Sequence, residues 1–303
     1  MAWRPPILIL IQRQHFGDEM MGDAEVSMSE QYSIFGAYGL VGSTVAAQLE
    51  AAGHTVRRIT RDNWPEDGTS LGNIIFTVGM TADFRNRLVE TFDLQVIRLQ
   101  DAFRKYSFDS FTYLSSARVY VGARSTNEDI ELQVRPTLVD NAYNITKLTG
   151  ESRCFVEDNT KVRVVRLSNV YGVPDSSNLF LTAVMRDAVN NGSVVIGQSP
   201  HSSKDYITVE DAAKAIILVA QRGQHRLYNI ACGQNVTHRQ IADILVSEHY
   251  SVDFGNDGAL ATFPEINTSR FDAEFGFARE GLQAGMVRVL RALEQKRKNN
   301  DRI

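Results

Sequence analysis

The 303-residue chain carries 32 Lys and Arg against 36 Asp and Glu, a formal net charge of -4, with 43% hydrophobic and 22% charged residues. Length sets a prior of roughly two domains, the apolar fraction suffices for a sizeable core, and the charge balance excludes the broad cationic footprint of a general nucleic-acid binder. Two cysteines, Cys154 and Cys232, cannot build a disulfide framework, and no apolar run is long enough to cross a membrane, so a soluble cytoplasmic protein with no nucleic-acid or membrane partner is expected.

Residues 1–28 stand apart. The apolar run Ile7 to Ile11 is shorter than a secretory core and lacks a small-residue cleavage site, and Asp18, Glu19, Asp23 and Glu25 make the remainder acidic. A loose extension is expected, with a start at Met28 as the alternative. From Gln31 onward short apolar runs alternate with helical periodicities, the pattern of βαβ units and a parallel sheet. Tyr32–Phe35 reads as a strand, Gly39–Ala52 as a helix, and Thr55–Ile59 and Asn73–Val78 as strands. The stretch from Arg61 to Ile74 is too short for a further strand and helix. Asp83–Lys105 reads as a helix, Ser110–Leu114 as a strand, Asn141–Glu157 as a helix and Val162–Leu167 as a buried strand. After Tyr171 come a loop, a helix near Asn178–Asn190 and a strand at Val194–Ile196. A helix at Val209–Gln221, a strand at Leu227–Ile230 and a helix at Thr237–Glu248 follow. Leu282, Met286, Val289, Leu290 and Leu293 then share one helical stripe. The basic run Lys296 to Lys298 reads as a solvated helix end.

Three segments carry chemistry. The first strand enters Gly36-Ala-Tyr38-Gly39-Leu40-Val41-Gly42, a turn whose backbone N–H groups and following helix N-terminus suit a pyrophosphate. At the tip of the second strand, where a carboxylate would accept from the 2′-OH of NAD, stand Thr60 and Arg61, which favour the 2′-phosphate of NADP. Asp62 comes two residues late, and Arg57, Arg58 and Arg61 read equally as solvated edge charge. Further on, Tyr143 and Lys147 lie at i, i+4 on one helical face. A phenol titrates near 10, and a neighbouring ammonium lowers that value toward a usable proton shuttle. An accidental surface pair is the competing reading. Ser115 and Ser116 end the strand before Tyr143, where open α/β sheets bind ligands, although two serines there also serve as loop caps.

In order and spacing, this glycine turn, Ser115-Ser116-Ala117-Arg118-Val119-Tyr120, Tyr143-x-x-x-Lys147 and Arg166-Leu-Ser-Asn169-Val-Tyr171-Gly172 resemble the extended short-chain dehydrogenase/reductase family. Within it the chain resembles the nucleotide-sugar epimerase/dehydratase group, from about Tyr32 to Leu293. Lys204-Asp205-Tyr206-Ile-Thr-Val-Glu-Asp211, Tyr228-Asn229-Ile230 and Gly276-Phe277 match later landmarks. The resemblance implies a Rossmann-type doubly wound parallel sheet over 29–172 and 205–232, with a smaller substrate-binding lobe over 173–204 and 233–303. It implies Ser116, rather than Ser115, as the catalytic hydroxyl, Tyr143 as general acid/base, and Lys147 as the group that tunes it and holds the nicotinamide ribose. Gly36, Gly39 and Gly42 would cradle NAD(P) with Tyr38, Leu40 and Val41, while Val78, Gly79, Met80, Asn169 and Val170 would line it. Ser116, Arg118, Asn169, Asn178 and Lys204 are the implied sugar-nucleotide contacts, with a helix cap and a surface charge as the plainer readings of Asn178 and Lys204. No metal is expected, and a homodimer is.

Departures narrow the reaction. Where the 4,6-dehydratases carry an Asp-Glu pair, this chain has Ala117-Arg118, so water elimination lacks its proton carriers. The Asn often found in the helix before the serine strand is missing from Val89–Ile97. The Ser-Ser-Ala-x-Val-Tyr segment favours an epimerase and Thr60-Arg61 an NADPH-dependent reductase. A non-catalytic dinucleotide sensor or scaffold is the third reading, disfavoured because Ser116, Tyr143 and Lys147 are all retained.

Overall fold

The computed structural model describes residues 29–80, 84–173, 179–255 and 258–300. The expected N-terminal extension and Asn178 lie outside these residues. A six-stranded, wholly parallel sheet organises the chain, in the order β2-β1-β3-β4-β5-β9. Its strands are β1 (Gln31–Phe35), β2 (Thr55–Ile59), β3 (Asn73–Phe76), β4 (Ser110–Ser116), β5 (Val162–Leu167) and β9 (Leu227–Ile230). The chain moves from β1 out to β2, then returns to the other side of β1 for β3. That reversal is the topological switch point, beside which doubly wound sheets bind ligands at the carboxyl ends of their strands. β2 is the sheet's border, because residues 60–72 form no further strand.

Helices cover both faces because both faces are apolar. On one, α1 (Leu40–Ala51) and α6 (Val209–Arg222) bury Val45, Ala46, Leu49, Ile216 and Val219 against Ile34, Ile75 and Val165. On the other, Phe35, Ile74, Phe76 and Phe111 pack with Leu99 and Ala102 of α3 (Arg98–Lys105) and Cys154 of α4 (Val139–Val156). Gly150 lets α4 lie close to the sheet: a Cβ there would stand 2.3 Å from the Tyr113 hydroxyl. The helix expected over Asp83–Lys105 is less regular. α2 (Leu88–Phe92) passes through a π-helical turn, Asp93–Ile97, before α3 begins.

Beyond β5 a second assembly forms. β6 (Asn169–Tyr171), β8 (Ser203–Thr208) and β10 (Asn235–Thr237) form a small mixed sheet, and β7 (Ser193–Ile196) pairs in parallel with β11 (Ser251–Phe254). Around them α5 (Phe180–Asn191), α7 (His238–Ser247) and α9 (Leu282–Asn300) enclose a core of Met185, Tyr206, Ile241, Leu245, Met286 and Leu290. β7 and these helices match the expected pattern, while β6, β8, β10 and β11 were not read from periodicity. α8 (Ser269–Phe275) instead buries Phe271 in the α1–α6 core. Three-residue strands carry too little alternation to register as period-two patterns. No helix among the described residues is long and apolar enough to cross a membrane.

Candidate active site

The glycine turn is built by steric necessity. Gly36 has φ +80°, and a Cβ on Gly42 would lie 2.3 Å from the Gly36 carbonyl oxygen and 2.6 Å from Thr77 Oγ1. Gly39 caps α1 with extended backbone and no side-chain acceptor, so the first N–H groups of the helix point into an open cradle. These features fit a dinucleotide pyrophosphate. Tyr38 is exposed, and Leu40 and Val41 lean on the core below. At the border strand, Thr60 is held in its own turn: its backbone N–H and hydroxyl donate to Asn63 Oδ1 at 2.5 and 3.1 Å, and the hydroxyl accepts from the Asp62 N–H. Arg58 is committed to Glu50 through two hydrogen bonds, leaving Arg57 and Arg61 exposed at the tip.

Ser116, Tyr143 and Lys147 converge at the carboxyl end of β4. Burial pushes the Tyr143 phenol up to about 12, opposed by its hydrogen bond with the Ser116 hydroxyl and by the Arg118 charge. Thus the cation whose field reaches the phenol is Arg118. The Lys147 ammonium donates to the Leu114 carbonyl (2.8 Å) and lies 5.9 Å from the Tyr143 ring centre. Burial brings that ammonium down to about 8, with Glu151 working against the shift. A Cβ on Gly79 would touch Lys147 Nζ at 3.3 Å and Gln95 Nε2 at 3.4 Å, so Val78-Gly79-Met80 runs directly past the lysine. Gln95, in the π-helical turn, donates to the Met80 carbonyl and accepts from Thr146. It was passed over because a glutamine was not the amide sought at that place.

The two serines separate cleanly. Ser115 Oγ donates to Glu151 Oε1 (2.5 Å), and Glu151 forms a buried bidentate pair with Arg166 at 3.0 and 2.7 Å. Arg166 also donates to Tyr120 Oη (2.8 Å) and to the Glu128 carbonyl (3.0 Å), and Tyr120 donates to Asn229. Burial works against the Arg166 cation, but Glu151 and Tyr120 hold its pKa above the ordinary value. Ser115 is thereby structural and Ser116 remains free to face the phenol. Sequence reading missed Glu151, although i, i+4 from Lys147 places it on the same helical face.

The remaining candidates lie across the opening. Arg118 and Lys204 are half-buried, and Asn169 donates to the Asp205 carbonyl at 2.8 Å while Val170 enters the core. Burial lifts the Asp205 carboxyl above the usual range, against hydrogen bonds from Ser168 and from the N–H groups of Cys232, Gly233 and Gln234. Asp205 therefore ties β8 to the turn after β9.

The family model described as "NAD dependent epimerase/dehydratase family" matches residues 78–231, half of the chain. The chain belongs to this family. Among curated relatives, a dTDP-4-dehydro-6-deoxy-D-allose reductase of Streptomyces bikiniensis is 20% identical over 85% of this chain and 94% of its own. An uncharacterized UDP-glucose epimerase, YtcB, of Bacillus subtilis is 25% identical over 40% of this chain, and only 38% of its own length is spanned. Of solved structures, MoeE5 in complex with UDP-glucose and NAD superposes with a TM-score of 0.71 at 19% identity, covering 88% of this chain and 99% of that one. A member of the NAD dependent epimerase/dehydratase family is thus the frame for the site.

Proposed function

We propose that this family member is an NAD(P)-dependent oxidoreductase of the nucleotide-sugar epimerase type, acting at a sugar hydroxyl or ketone carbon. The observation that carries the reading is the junction of the Ser116 hydroxyl with a buried phenol, Tyr143, above the fixed ammonium of Lys147. Bound dinucleotide, cradled by Gly36, Gly39 and Gly42 and passing Val78 to Met80, supplies the hydride acceptor or donor. Tyr143 exchanges a proton with the sugar oxygen, Ser116 shares that oxygen by hydrogen bond, and Lys147 orients the ribose. Elimination of water is the less favoured reaction, because Ala117 and Arg118 stand where the 4,6-dehydratases carry their Asp-Glu proton carriers.

A reductase is the second reading, favoured by the exposed Arg61 and the missing carboxylate at the β2 tip, which suit NADP. Incubation with UDP- and dTDP-hexoses and their 4-keto forms, followed by NMR with C4-deuterated NADPH, separates the two. An epimer formed without net cofactor consumption supports the epimerase; deuterium in product with stoichiometric NADPH loss supports the reductase. Absence of either under both cofactors would overturn the reading. We also assign residues 29–172 and 205–232 to dinucleotide binding and 173–204 and 233–303 to the sugar nucleotide, in a cytoplasmic homodimer. The dimer rests on α2, the π-helical turn and α4, which pack together yet leave Val89, Phe92, Ile97 and Val139 exposed.

A further inference from the structure

Arg118 stands two residues past Ser116, on the 3-10 turn Ala117–Tyr120, and its own backbone N–H donates to Ser116 Oγ at 3.2 Å. Its guanidinium forms no ion pair among the described residues, although the Asp140 carboxylate supports its charge through space. Nε is buried without a hydrogen-bond partner, Nη2 has a 3.4 Å contact with the neutral Asp140 carbonyl, and the group rests 5.4 Å from the centre of the Phe84 ring. The Asp140 carboxylate is committed to Arg85. Across the opening, Lys204 sits over the Phe180 ring at 5.8 Å, with no ion-pair partner among the described residues. Burial and then the Arg118 charge push the Lys204 ammonium below its ordinary range.

Two partly desolvated cations that repel one another, neither in an ion pair among the described residues, cost stability in the free protein. An incoming anion removes that cost. A guanidinium presents donors in a rigid fork that matches a carboxylate or a phosphate bidentately. Position decides between these. The Arg118 guanidinium and the Tyr143 ring both pack on Phe84, at 5.4 and 5.1 Å, so a group held by Arg118 lies beside the oxygen undergoing chemistry. For reaction at C4, the carbon that the 4-keto forms above probe, a diphosphate on the anomeric carbon lies across the ring, whereas C6 is attached to the very next carbon.

We propose that Arg118 receives a carboxylate carried by the sugar next to the reacting carbon, making the substrate a nucleoside diphosphate hexuronate rather than a neutral hexose. The assignment rests on the sugar-nucleotide reading above and leaves Lys204 to the diphosphate.

The test is calorimetric binding to the full chain carrying Tyr143→Phe, which prevents turnover, with UDP-glucuronate, UDP-glucose, UDP and the dTDP-linked set. UDP- or dTDP-glucuronate should bind about 10- to 150-fold tighter than the matching glucose form, the span opened by one charge-assisted hydrogen-bonded contact. Adding Arg118→Gln should erase that preference while glucose forms and free nucleotide stay within a few-fold, and Arg118→Lys should restore part of it. Equal affinity for uronate and glucose forms overturns the assignment. So does an Arg118→Gln loss that falls equally on UDP, which would place the guanidinium on the diphosphate with the sugar-nucleotide function intact. Binding of no sugar nucleotide overturns the functional reading and this assignment with it.

Discussion

At neutral pH Tyr143 keeps its proton, because burial raises its pKa to about 12 against the pull of Ser116 and Arg118. It is therefore set to donate to a carbonyl oxygen, and removal of its hydroxyl removes the donor. Tyr143→Phe should lower turnover by about 10²-fold or more with unfolding temperature and cofactor affinity nearly unchanged, read by steady-state kinetics and cofactor titration. The contact proposed for Arg61 is a different one. Loss of a charge-assisted bond to a 2′-phosphate costs about 1.5–3 kcal/mol, so Arg61→Ala should weaken NADPH about 10- to 150-fold and leave NADH unchanged. Fluorescence titration of both cofactors checks this; equal losses would make Arg61 an ordinary surface charge. The pair Tyr143 and Lys147 was legible because i, i+4 spacing is a local property. The cation whose charge lowers the phenol's pKa was not, because Arg118 reaches it only through the turn after β4.

Along α4, residues four apart stack into one functional edge: Tyr143, Lys147 and Glu151. Lys147 falls from 10.5 to about 8 on folding. Between those values the unfolded chain holds the extra proton, so stability rises with pH through this window. Lys147→Met should erase that rise, a difference of about 3 kcal/mol, measured by denaturant unfolding at pH 8 and pH 10.5. Glu151 has two duties, as the buried partner of Arg166 and as the acid that favours the Lys147 cation. Glu151→Gln should cost about 3–5 kcal/mol by leaving Arg166 unpaired. It should also lower the Lys147 pKa further, moving the alkaline limb of the pH–rate profile to lower pH. Long elements were readable from their apolar spacing, as β5 and α6 illustrate. β6, β8 and β10 were not, because their pairing is fixed by distant partners such as Asp205.

For the whole molecule, the exposed apolar side chains of α2, the π-helical turn and α4 predict self-association. Phe92→Glu with Val139→Arg should convert a dimer to a monomer in light-scattering chromatography while preserving the fold by circular dichroism. A wild type that is monomeric at high micromolar concentration would remove this interface. The parallel architecture followed from alternation in the sequence, and so did the shortened border, since residues 60–72 leave no room for another strand. That border has a consequence for colloidal behaviour. Among the described residues β2 ends the sheet with no strand on its outer side, a template on which a second chain's strand could add itself, although the Arg58 carbonyl already accepts from Asn63. Its two central side chains are Arg57 and Arg58, bulky charges that resist such docking. The charges of β2 therefore also keep neighbouring molecules from zipping together along their sheets.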